Sequence, residues 1–284
     1  MKVYSINSKN YASRMVAFCK RAGVTLNLDH PTTIQDKLAW LNIHDDDDRK
    51  VLCANKLYVK HYSLWRSYSK GVHDICPKTI ARAFTPEDIN WKQLPANCII
   101  KCNHGCGMNI RVSAFTDQVI ATIIPTLNRW MATDYAFASG FEAHYHDIPH
   151  MVFAEELIGD GKQALIDYKF LCFNGEPKFM QVITGRNTKQ MRMNYYDMDM
   201  QPCKGLSRTD IKADYSKQDV LPTKFEPMKE YARNLAQPFR FVRVDFYEVD
   251  GRVYLGEMTF TPAACGFRYV NPNDEIMMGS YLEL

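Results

Sequence analysis

The chain has 284 residues, enough to bury a sizeable core in one large domain or in two lobes that share a cleft. Its 35 lysines and arginines exceed its 32 aspartates and glutamates only slightly and are scattered, which argues against a nucleic-acid partner. No stretch approaches the ~20 apolar residues of a membrane span, and the first residues lack the apolar run of a signal peptide. The nine cysteines stand singly. We therefore expect reduced thiols in a cytoplasmic protein, with any membrane association peripheral and at the inner face.

Helical patterning dominates the N-terminal third of the chain. Apolar residues at helical spacing predict a helix over 11–23, and Thr33 begins a second helix. The acidic run 45–48 could bind a cation, but it lacks the spacing and the central glycine of a calcium loop, so we interpret it as a solvated helix start. A further helix is predicted over 49–62, with Lys56 on it.

The pattern then changes to a strand, a glycine loop and a second strand. The apolar strand Cys98–Cys102 contains Lys101 near its end, and Gly105 and Gly107 follow in the loop before the strand Asn109–Val112. A lysine in this position presents a point charge to phosphate, and glycines let backbone N–H groups approach phosphate oxygens. The Gly-Lys-Ser/Thr order of a Walker A loop is absent, so this is a different type of candidate phosphate site.

Two groups of residues contain side chains that commonly bind metals, but we interpret neither group as a metal site. The first surrounds the glycine loop, where strand alternation and the lack of a second cluster favour structural thiols over a zinc site. The second lies in a polar stretch without suitably spaced carboxylates, which we expect to be a surface loop. The two groups are Cys98, Cys102, His104 and Cys106, and His144, His146 and His150.

Charged residues adjoin apolar runs in the middle of the chain. The run 151–154 leads into Glu155 and Glu156, which either form an exposed strand end or offer backbone edges to an adenine. Lys169 lies within the apolar strand Asp167–Phe173. Because an unpaired buried lysine is costly, we expect it to have an anionic partner, either a protein carboxylate or a ligand phosphate.

Two hairpins are predicted in the second half of the chain. The dipeptide Asn174-Gly175 between alternating apolar runs connects the first, and the turn 249–252 connects the second. Helices are predicted over 116–130 and 227–236. Strands mixed with helices in this way indicate an α+β fold.

The second hairpin brings the most informative residues together. Arg243 and Asp245 share one face of its first strand, and Glu257 and Thr259 share a face of the returning strand, because side chains alternate across a strand. Asp245 and Glu257 lie equally far from Gly251, so we expect them roughly opposite each other. Two carboxylates this close repel unless a cation lies between them, and Mg²⁺ prefers such oxygen ligands completed by phosphate. The alternative is a pair of ordinary edge-strand charges, one bridged to Arg243.

Taken in order, these pieces resemble the TupA-like ATP-grasp family, which is associated with teichuronopeptide and other surface-polysaccharide synthesis. The resemblance covers most of the chain from about Thr33 onward. The matching stretches are 37–41, 94–109, 167–177, 243–247 and 256–262.

The resemblance implies an ATP-grasp fold, in which two lobes with antiparallel sheets and flanking helices clasp ATP. It divides the chain into three parts. We expect a helical N-terminal region over 1–95, a small lobe with the glycine loop over 96–158, and a large lobe with the metal and catalytic residues over 159–284.

The resemblance also implies a role for each candidate residue. Lysines and loop glycines would bind the ATP phosphates, and a hinge after the strand near residue 155 would bind the adenine and ribose. Lys169 would face phosphate or the acyl group, and Arg243 would stabilise the transferring phosphoryl group. The implied nucleotide-binding residues are Lys56, Lys101, Gly105, Gly107, Glu155, Glu156 and Ile158. The implied Mg²⁺ ligands are Asp245, Glu257 and Thr259.

Three residues depart from the family pattern. Asn55 stands where the family tends to have aspartate before Lys56, and Cys106 stands where serine is usual in the glycine loop. Thr259 takes the place of the metal-binding asparagine of many ATP-grasp enzymes, although threonine also looks usual in this branch. This last departure concerns the third metal ligand and not the metal itself.

The activity implied by the resemblance is that of a carboxylate–amine ligase that uses ATP and forms an acyl-phosphate. The carboxylate would belong to a uronic acid of a capsule or cell-wall glycan or its precursor, and the amine to an amino acid or other amine. The chain ends soon after Thr259, which favours an open cleft suited to a large glycan. Arg240, Arg252 and Arg268 could attract its negative charge.

Two other functions stay open. A kinase that phosphorylates a glycan hydroxyl needs the same nucleotide site as a ligase, so the sequence does not separate them. A catalytically silent ATP-grasp scaffold in polysaccharide assembly is the other alternative. Retention of Lys101, Arg243, Asp245 and Glu257 argues against the scaffold.

Overall fold

The computed structural model describes residues 8–68, 74–138, 140–161 and 164–284. These residues form two antiparallel sheets with flanking helices, which confirms the α+β prediction. The α-helices are α1 (Ser8–Arg21), α2 (Ile34–His44), α3 (Arg49–Ala54), α4 (Val59–Tyr68), α5 (Asp117–Met131), α6 (Phe225–Ala236) and α7 (Pro272–Ser280). The strands are β1 (Thr79–Ala83), β2 (Cys98–Cys102), β3 (Asn109–Val112), β4 (Val152–Glu156), β5 (Asp167–Phe173), β6 (Glu176–Thr184), β7 (Arg192–Tyr196), β8 (Phe241–Val249) and β9 (Arg252–Thr259).

The smaller sheet has four strands in the order β1-β4-β2-β3. Cys98 and Ile100 of β2 belong to the same apolar core as Ile123 and Leu127 of α5. Because successive side chains point to opposite faces of a strand, this packing turns Lys101 to the other face of the sheet. The apolar pattern of β2 therefore fixes the side on which its lysine is presented.

The larger sheet has five strands in the order β7-β6-β5-β8-β9. Both predicted hairpins are confirmed, and each has a two-residue turn with positive φ at both positions. These are Asn174 (49°) with Gly175 (82°), and Asp250 (51°) with Gly251 (71°). Such type I′ turns match the twist of the strands they join.

Each face of the larger sheet has its own apolar core. On one face, Phe170 and Val244 pack in a cluster with Met228 of α6. On the other face, Phe173 packs in a cluster with Leu38 of α2. A fully buried side chain of this size contributes roughly 1.5–3 kcal/mol, so helices on both faces hold the sheet in place.

The prediction of a single helix over 49–62 is wrong. The segment instead forms the two helices α3 and α4, and Lys56 lies between them. The side chain of Asn55 causes the break. Its Oδ1 atom accepts hydrogen bonds from the backbone N–H groups of Leu57 (3.0 Å) and Tyr58 (3.2 Å). Asparagine often forms such local bonds in competition with helix continuation. Lys56 consequently lies in a turn and not on a helix surface.

Strand β1 is not among the predicted elements. It lies in the region that was expected to be helical, and it pairs with β4, with Ala83 opposite Val152. Its alternation is weak because Arg82 interrupts a short apolar run. Its hydrogen bonds to β4 make β1 part of the smaller sheet. The division of the chain into three regions at residues 95 and 158 stays a prediction.

The described part of the chain contains no helix long and apolar enough to cross a membrane. All nine cysteines are free thiols, and most are buried. Burial raises the pKa of the Cys19 thiol to about 11 and that of the Cys76 thiol to about 12. These buried thiols stay protonated and pack as small apolar side chains.

Candidate active site

The hairpin of β8 and β9 presents one arginine to a row of oxygen atoms. Asp245 lies opposite Glu257, and Arg243 lies opposite Thr259. Arg243 forms a bidentate pair with Asp245 through Nε and Nη2, each at 2.7 Å. Its Nη2 atom also donates to Glu257 Oε1 at 2.8 Å and to Thr259 Oγ1 at 3.0 Å. The prediction that the two carboxylates face each other is confirmed, and Arg243 is the cation between them.

A β-bulge at Gly256 sets this register. Regular pairing from the two-residue turn would place Asp245 opposite Gly256, and Glu257 would then point to the other face of the sheet. The pairing instead shifts by one residue after Asp245, so that Gly256 is the extra residue. A Cβ atom on Gly256 would lie 2.8 Å from Cε2 of Tyr247. A glycine is therefore required where the chain brings Glu257 onto the face of Asp245.

Lys169 extends the charge network onto β5. Its ammonium group pairs with Asp245 and lies 3.4 Å from Asp167 Oδ1. Arg186 in turn donates from Nη2 to Asp167 Oδ1 at 3.1 Å. The anionic partners expected for this buried lysine are therefore protein carboxylates. With the hairpin residues, the network joins three cations to three carboxylates.

Burial and charge act in opposite directions on the two facing carboxylates. Burial alone would raise the pKa of Glu257, but the positive charges of Arg243 and Lys169 outweigh it and hold this pKa well below its usual range. Burial raises the pKa of Asp245 in spite of the same two cations. Glu257 is therefore the carboxylate that keeps its charge to lower pH.

The smaller sheet carries a second group of cations. Lys101 of β2 pairs with Glu155 of β4, and Lys60 of α4 pairs with the same carboxylate at 2.7 Å. Glu155 is only 4% exposed, so the interpretation as an exposed strand end is wrong. Its carboxylate instead orients two ammonium groups. Lys60 was not predicted, because nothing in the sequence distinguishes it from a lysine on a helix surface.

Lys56 connects the two charged groups. Its ammonium donates to the carbonyl of Gly105, and its backbone N–H donates to Asn103 O at 3.0 Å. Burial lowers the pKa of Lys56, while the charge of Glu257 raises it and that of Lys101 lowers it. Lys56 is thus within electrostatic range of a lysine of the smaller sheet and a carboxylate of the larger one. The structure brings the predicted phosphate and metal residues to one site.

Asn55 provides a hydrogen-bond acceptor immediately before Lys56. Its Oδ1 atom accepts from two backbone N–H groups of the following turn and from Asn103 Nδ2 at 3.1 Å. Its Nδ2 atom is buried and has no hydrogen-bond partner among the described residues. Because every donor acts on the oxygen, asparagine supplies the acceptor that an aspartate would supply.

The glycine loop contains two positions that geometry restricts. A Cβ atom on Gly105 would lie 2.5 Å from Cδ2 of Tyr135, so no larger residue fits without movement. Gly107 has a φ of +72°, a conformation that favours glycine. Cys106 between them is exposed. The thiol that replaces the usual serine therefore stands at the surface of the loop.

The predicted adenine hinge follows β4. The backbone N–H of Glu156 donates to Lys78 O at 3.0 Å, and its Oε1 atom accepts from the backbone N–H of Lys78 at 2.8 Å. Ile158 lies two residues beyond the end of the strand and is half-buried. Glu156 is thus fixed beside β1, and its role toward a nucleotide stays a prediction, as does that of Ile158.

The histidine-containing stretch between α5 and β4 is not a surface loop, contrary to the prediction. His144 is 3% exposed, and the ring of His150 stacks on His104 with centroids 3.6 Å apart. His146 pairs with Asp134 at 2.6 Å. Burial and the neighbouring His150 lower the pKa of His104 to about 4. The stretch packs against α2 and α3, which places it next to the site.

The oxygen atoms of Asp245, Glu257 and Thr259 fit a magnesium ion in chemical type. Mg²⁺ is usually held by one or two carboxylates together with substrate phosphates and water. Within the described ranges, no group of three or more His, Cys, Asp or Glu side chains is arranged to hold a metal. Thr259 Oγ1 donates to Glu257 Oε1 at 3.1 Å. Thr259 thus orients a carboxylate, and phosphate oxygens would complete the ligand set.

Three further residues of this site were not assigned a role from the sequence. Asp167 and Arg186 extend the network beyond Lys169. Tyr247 shares the face of Asp245, and burial together with Asp167 raises the pKa of its phenol. The strand alternation that placed Arg243 and Asp245 on one face also includes Tyr247, so this residue had a readable signal.

Comparison with known proteins identifies a family. A family model described as TupA-like ATPgrasp matches residues 36–282, which is most of the chain. A search of curated proteins finds no significant match.

Several solved structures resemble the chain at low sequence identity. D-alanine–D-alanine ligase from Bacillus anthracis, complexed with ATP, has a TM-score of 0.45 and 15% identity over 81% of this chain and 66% of that chain. The Helicobacter pylori D-alanine–D-alanine ligase has a TM-score of 0.46 and 13% identity over 91% and 70%. N5-carboxyaminoimidazole synthase from Aspergillus clavatus has a TM-score of 0.42 and 12% identity over 84% and 52%. The chain thus spans less than two thirds of the first and third of these proteins.

Proposed function

The chain belongs to the TupA-like ATP-grasp family, and we propose from this membership and the site geometry that it is an ATP-dependent carboxylate–amine ligase. The reaction proceeds through an acyl-phosphate. The carboxylate is a uronic acid of a surface polysaccharide or its precursor, and the nucleophile is an amino acid or another amine.

One observation carries the proposal. Asp245 and Glu257 face each other across a hairpin with Arg243 between them, and Lys56 lies within electrostatic range of Glu257. Paired carboxylates beside several cations suit the binding of a metal–nucleotide complex and the neutralisation of charge during phosphoryl transfer. If Asp245 and Glu257 were ordinary charges on edge strands, they would not need a buried lysine beside them, yet Lys169 pairs with Asp245.

The chemistry explains why cations and carboxylates dominate the site. A carboxylate does not react with an amine because its leaving group would be oxide. Transfer of the γ-phosphoryl group of ATP to a carboxylate oxygen replaces oxide with phosphate as the leaving group. The amine then forms the C–N bond, the C–O bond to phosphate breaks, and the products are an amide, ADP and inorganic phosphate. Catalysis of this sequence consists mainly of positioning and charge neutralisation.

The residues divide these tasks between the two sheets. Lys56 and Lys101 bind the nucleotide phosphates together with the glycine loop, and the segment 155–158 adjoins the adenine and ribose. Arg243 and Lys169 stabilise the transferring phosphoryl group or the acyl group. Asp245, Glu257 and Thr259 of β8 and β9 would hold Mg²⁺, which would supply neutralising charge to the phosphates.

The substrate class rests on the family and on surface charge. Arg240 and Arg268 are exposed and Arg252 is partly engaged, with Nη2 donating to Asp74 O at 3.2 Å. Exposed arginines favour an anionic substrate such as a uronic-acid glycan.

The mass of the product tests the proposal. The protein is incubated with ATP, Mg²⁺, uronic-acid oligosaccharides and mixed amino acids. The ligase predicts that the sugar gains an amino acid less one water and that ADP forms with it. A gain of a phosphoryl group with amino acids dispensable identifies a kinase. Absence of ATP consumption with every substrate pair supports the silent scaffold.

A further inference from the structure

A buried carboxyl group adjoins the site and has no part in the roles assigned above. Glu142 lies in the stretch between α5 and β4 and is 7% exposed. Its Oε1 atom accepts a hydrogen bond from Thr261 Oγ1 at 2.5 Å. No described residue donates to its Oε2 atom. Among the described residues, one oxygen of this carboxyl group therefore has a hydrogen-bond donor and the other has none.

The backbone on both sides of Glu142 is held firmly. The N–H of Glu142 donates to Ala136 O at 2.9 Å, and the N–H of Ala143 donates to Asn42 Oδ1 at 3.0 Å. Asn42 Nδ2 donates to Phe141 O at 2.9 Å, so one side chain of α2 clamps both neighbours. A carboxyl group held in this way has a fixed position, as a group that handles protons requires.

Glu142 lies where the two charged groups of the site meet. Thr261, its partner, follows the candidate ligand Thr259 by two residues. The charges of Glu257, Lys56 and Arg243 act on the carboxyl group of Glu142. Glu257 and Arg243 belong to the hairpin of β8 and β9, and Lys56 lies between α3 and α4. The charged and titratable groups that interact with it are Glu257, Lys56, Arg243, Tyr135, Tyr145 and Cys265.

Because of these surroundings, the protonated and the ionised forms of the Glu142 carboxyl group are both populated near neutral pH. Burial raises the pKa of Glu142 to about 7, with a contribution from Glu257, while the Thr261 hydroxyl, Lys56 and Arg243 act in the opposite direction. An acid or base is most effective when its pKa lies near the working pH. Glu142 can therefore accept a proton at neutral pH and release it again.

We propose that Glu142 is the proton acceptor for the amine in the amide-forming step, an inference that rests on the proposed ligase function. The amine arrives as an ammonium ion, and Glu142 takes one proton and frees the lone pair. The nitrogen forms a bond to the acyl carbon, and the C–O bond to phosphate breaks with its electron pair on phosphate. The second nitrogen proton passes to the departing phosphate, and Glu142 returns its proton to solvent.

A purely structural role for Glu142 makes a different prediction. The hydrogen bond to Thr261 could serve only to attach the stretch 140–151 to the end of β9. Glu142→Gln separates the two roles, because glutamine keeps an oxygen acceptor for Thr261 and nearly the same shape but cannot accept the amine proton. Glu87→Gln is the matched control, since Glu87 also accepts a side-chain hydrogen bond, from Asn128 Nδ2 at 2.7 Å, but at an exposed position.

The test compares two nucleophiles with the same enzyme, ATP, Mg²⁺ and uronic-acid oligosaccharide. Mixed amino acids report amide formation, and hydroxylamine reports the acyl-phosphate as a hydroxamate. Hydroxylamine is uncharged near neutral pH and needs no proton acceptor to become nucleophilic. In Glu142→Gln we expect amide formation to fall about a hundredfold or more while hydroxamate formation stays near the wild-type rate. The remaining amide formation should rise with pH as the amine loses its own proton.

Each other outcome overturns the inference in a recognisable way. Equal loss of amide and hydroxamate places Glu142 in activation or in folding. Wild-type rates with both nucleophiles show that the carboxyl group takes no part. If the wild-type protein forms neither product, the proposed ligase function itself fails, and this result differs from a failure confined to the variant.

Discussion

The two charged groups of the site differ in how their charges are balanced. At the smaller sheet, Lys60 and Lys101 share the carboxylate of Glu155, and the Lys56 ammonium donates to the backbone carbonyl of Gly105, so positive charge is in excess among these residues. On the larger sheet, three cations and three carboxylates neutralise one another. An excess of positive charge attracts phosphate without rearrangement, whereas a neutral network does not. We infer that the first group determines nucleotide affinity and the second determines turnover.

The strongest test of this division is Glu257→Gln. We propose that the charge of Glu257 holds Mg²⁺ at the phosphates, while Asp245 remains as a ligand in the variant. We therefore expect turnover to fall at least about a hundredfold and the affinity for ATP with Mg²⁺ to fall much less. The measurement is steady-state ADP release with a binding titration alongside. Glu248→Gln is the control, because Glu248 lies on the neighbouring strand of the same hairpin but accepts from Thr223 and from the backbone of Lys224. Wild-type turnover in Glu257→Gln would remove this residue from the metal site.

Lys101→Ala should have the opposite profile. It removes one of the excess cations while Lys60 still neutralises Glu155. We expect the dissociation constant for ATP to rise about tenfold to a hundredfold, as loss of a charged hydrogen bond implies, with turnover at saturating ATP nearly unchanged. Calorimetric titration measures the effect, with the exposed Lys92→Ala as the control. Unchanged affinity in Lys101→Ala would contradict the assignment of this group to phosphate.

Gly256→Ala tests the larger-sheet group without removing a charge. The added Cβ atom would displace Tyr247 or the bulge that aligns Glu257 with Asp245. We expect a loss of about 1–3 kcal/mol in the free energy of unfolding and a roughly tenfold loss of turnover, with ATP affinity retained. Chemical denaturation and kinetics measure the two effects. Gly205→Ala is the control because a Cβ atom there meets nothing within 4 Å. Equal effects of the two variants would argue against the bulge as the determinant.

The last expected effect concerns the pH dependence of stability and Glu142. The pKa of Glu142 is raised from 4.5 to about 7 on folding, so the folded state binds this proton more tightly than the unfolded state. The resulting stabilisation is present below pH 4.5 and is lost as pH rises toward 7, by at most about 1.4 kcal/mol per pH unit. Glu142→Gln lacks this dependence and should gain stability relative to the wild type as pH rises. Parallel pH dependences of the two melting temperatures would contradict it.

Local patterns predicted most of the strands and both hairpins, but not β1 or β7, and one correct contact depended on a feature that the sequence did not reveal. Counting from Gly251 placed Asp245 opposite Glu257, and this pairing holds only because the bulge at Gly256 offsets the two-residue turn. A symmetric count contains no information about bulges. The partner of Lys169 was likewise left open, since Asp245 is distant in sequence and becomes a neighbour only through sheet pairing.

Burial was the property that sequence reasoning misjudged. The stretch containing His144 is rich in polar residues, which is typical of a surface loop, yet packing against α2 and α3 buries it. Glu142 was overlooked for the same reason, because a single carboxylate in a polar stretch has no pattern. Glu155 was misjudged because its two lysine partners come from α4 and β2. In each case the decisive partners lie on other elements of the fold.

Thermal melting with ATP and Mg²⁺ tests the central claim, that the two groups together form one site for a metal–nucleotide complex. A ligand that binds only the native state adds ~3 kcal/mol at a hundredfold excess over its dissociation constant. We expect Mg²⁺ with ATP to raise the melting temperature by roughly 5–10 °C, and ATP without metal to raise it much less. A melting temperature that Mg²⁺ and ATP together leave unchanged would contradict the account.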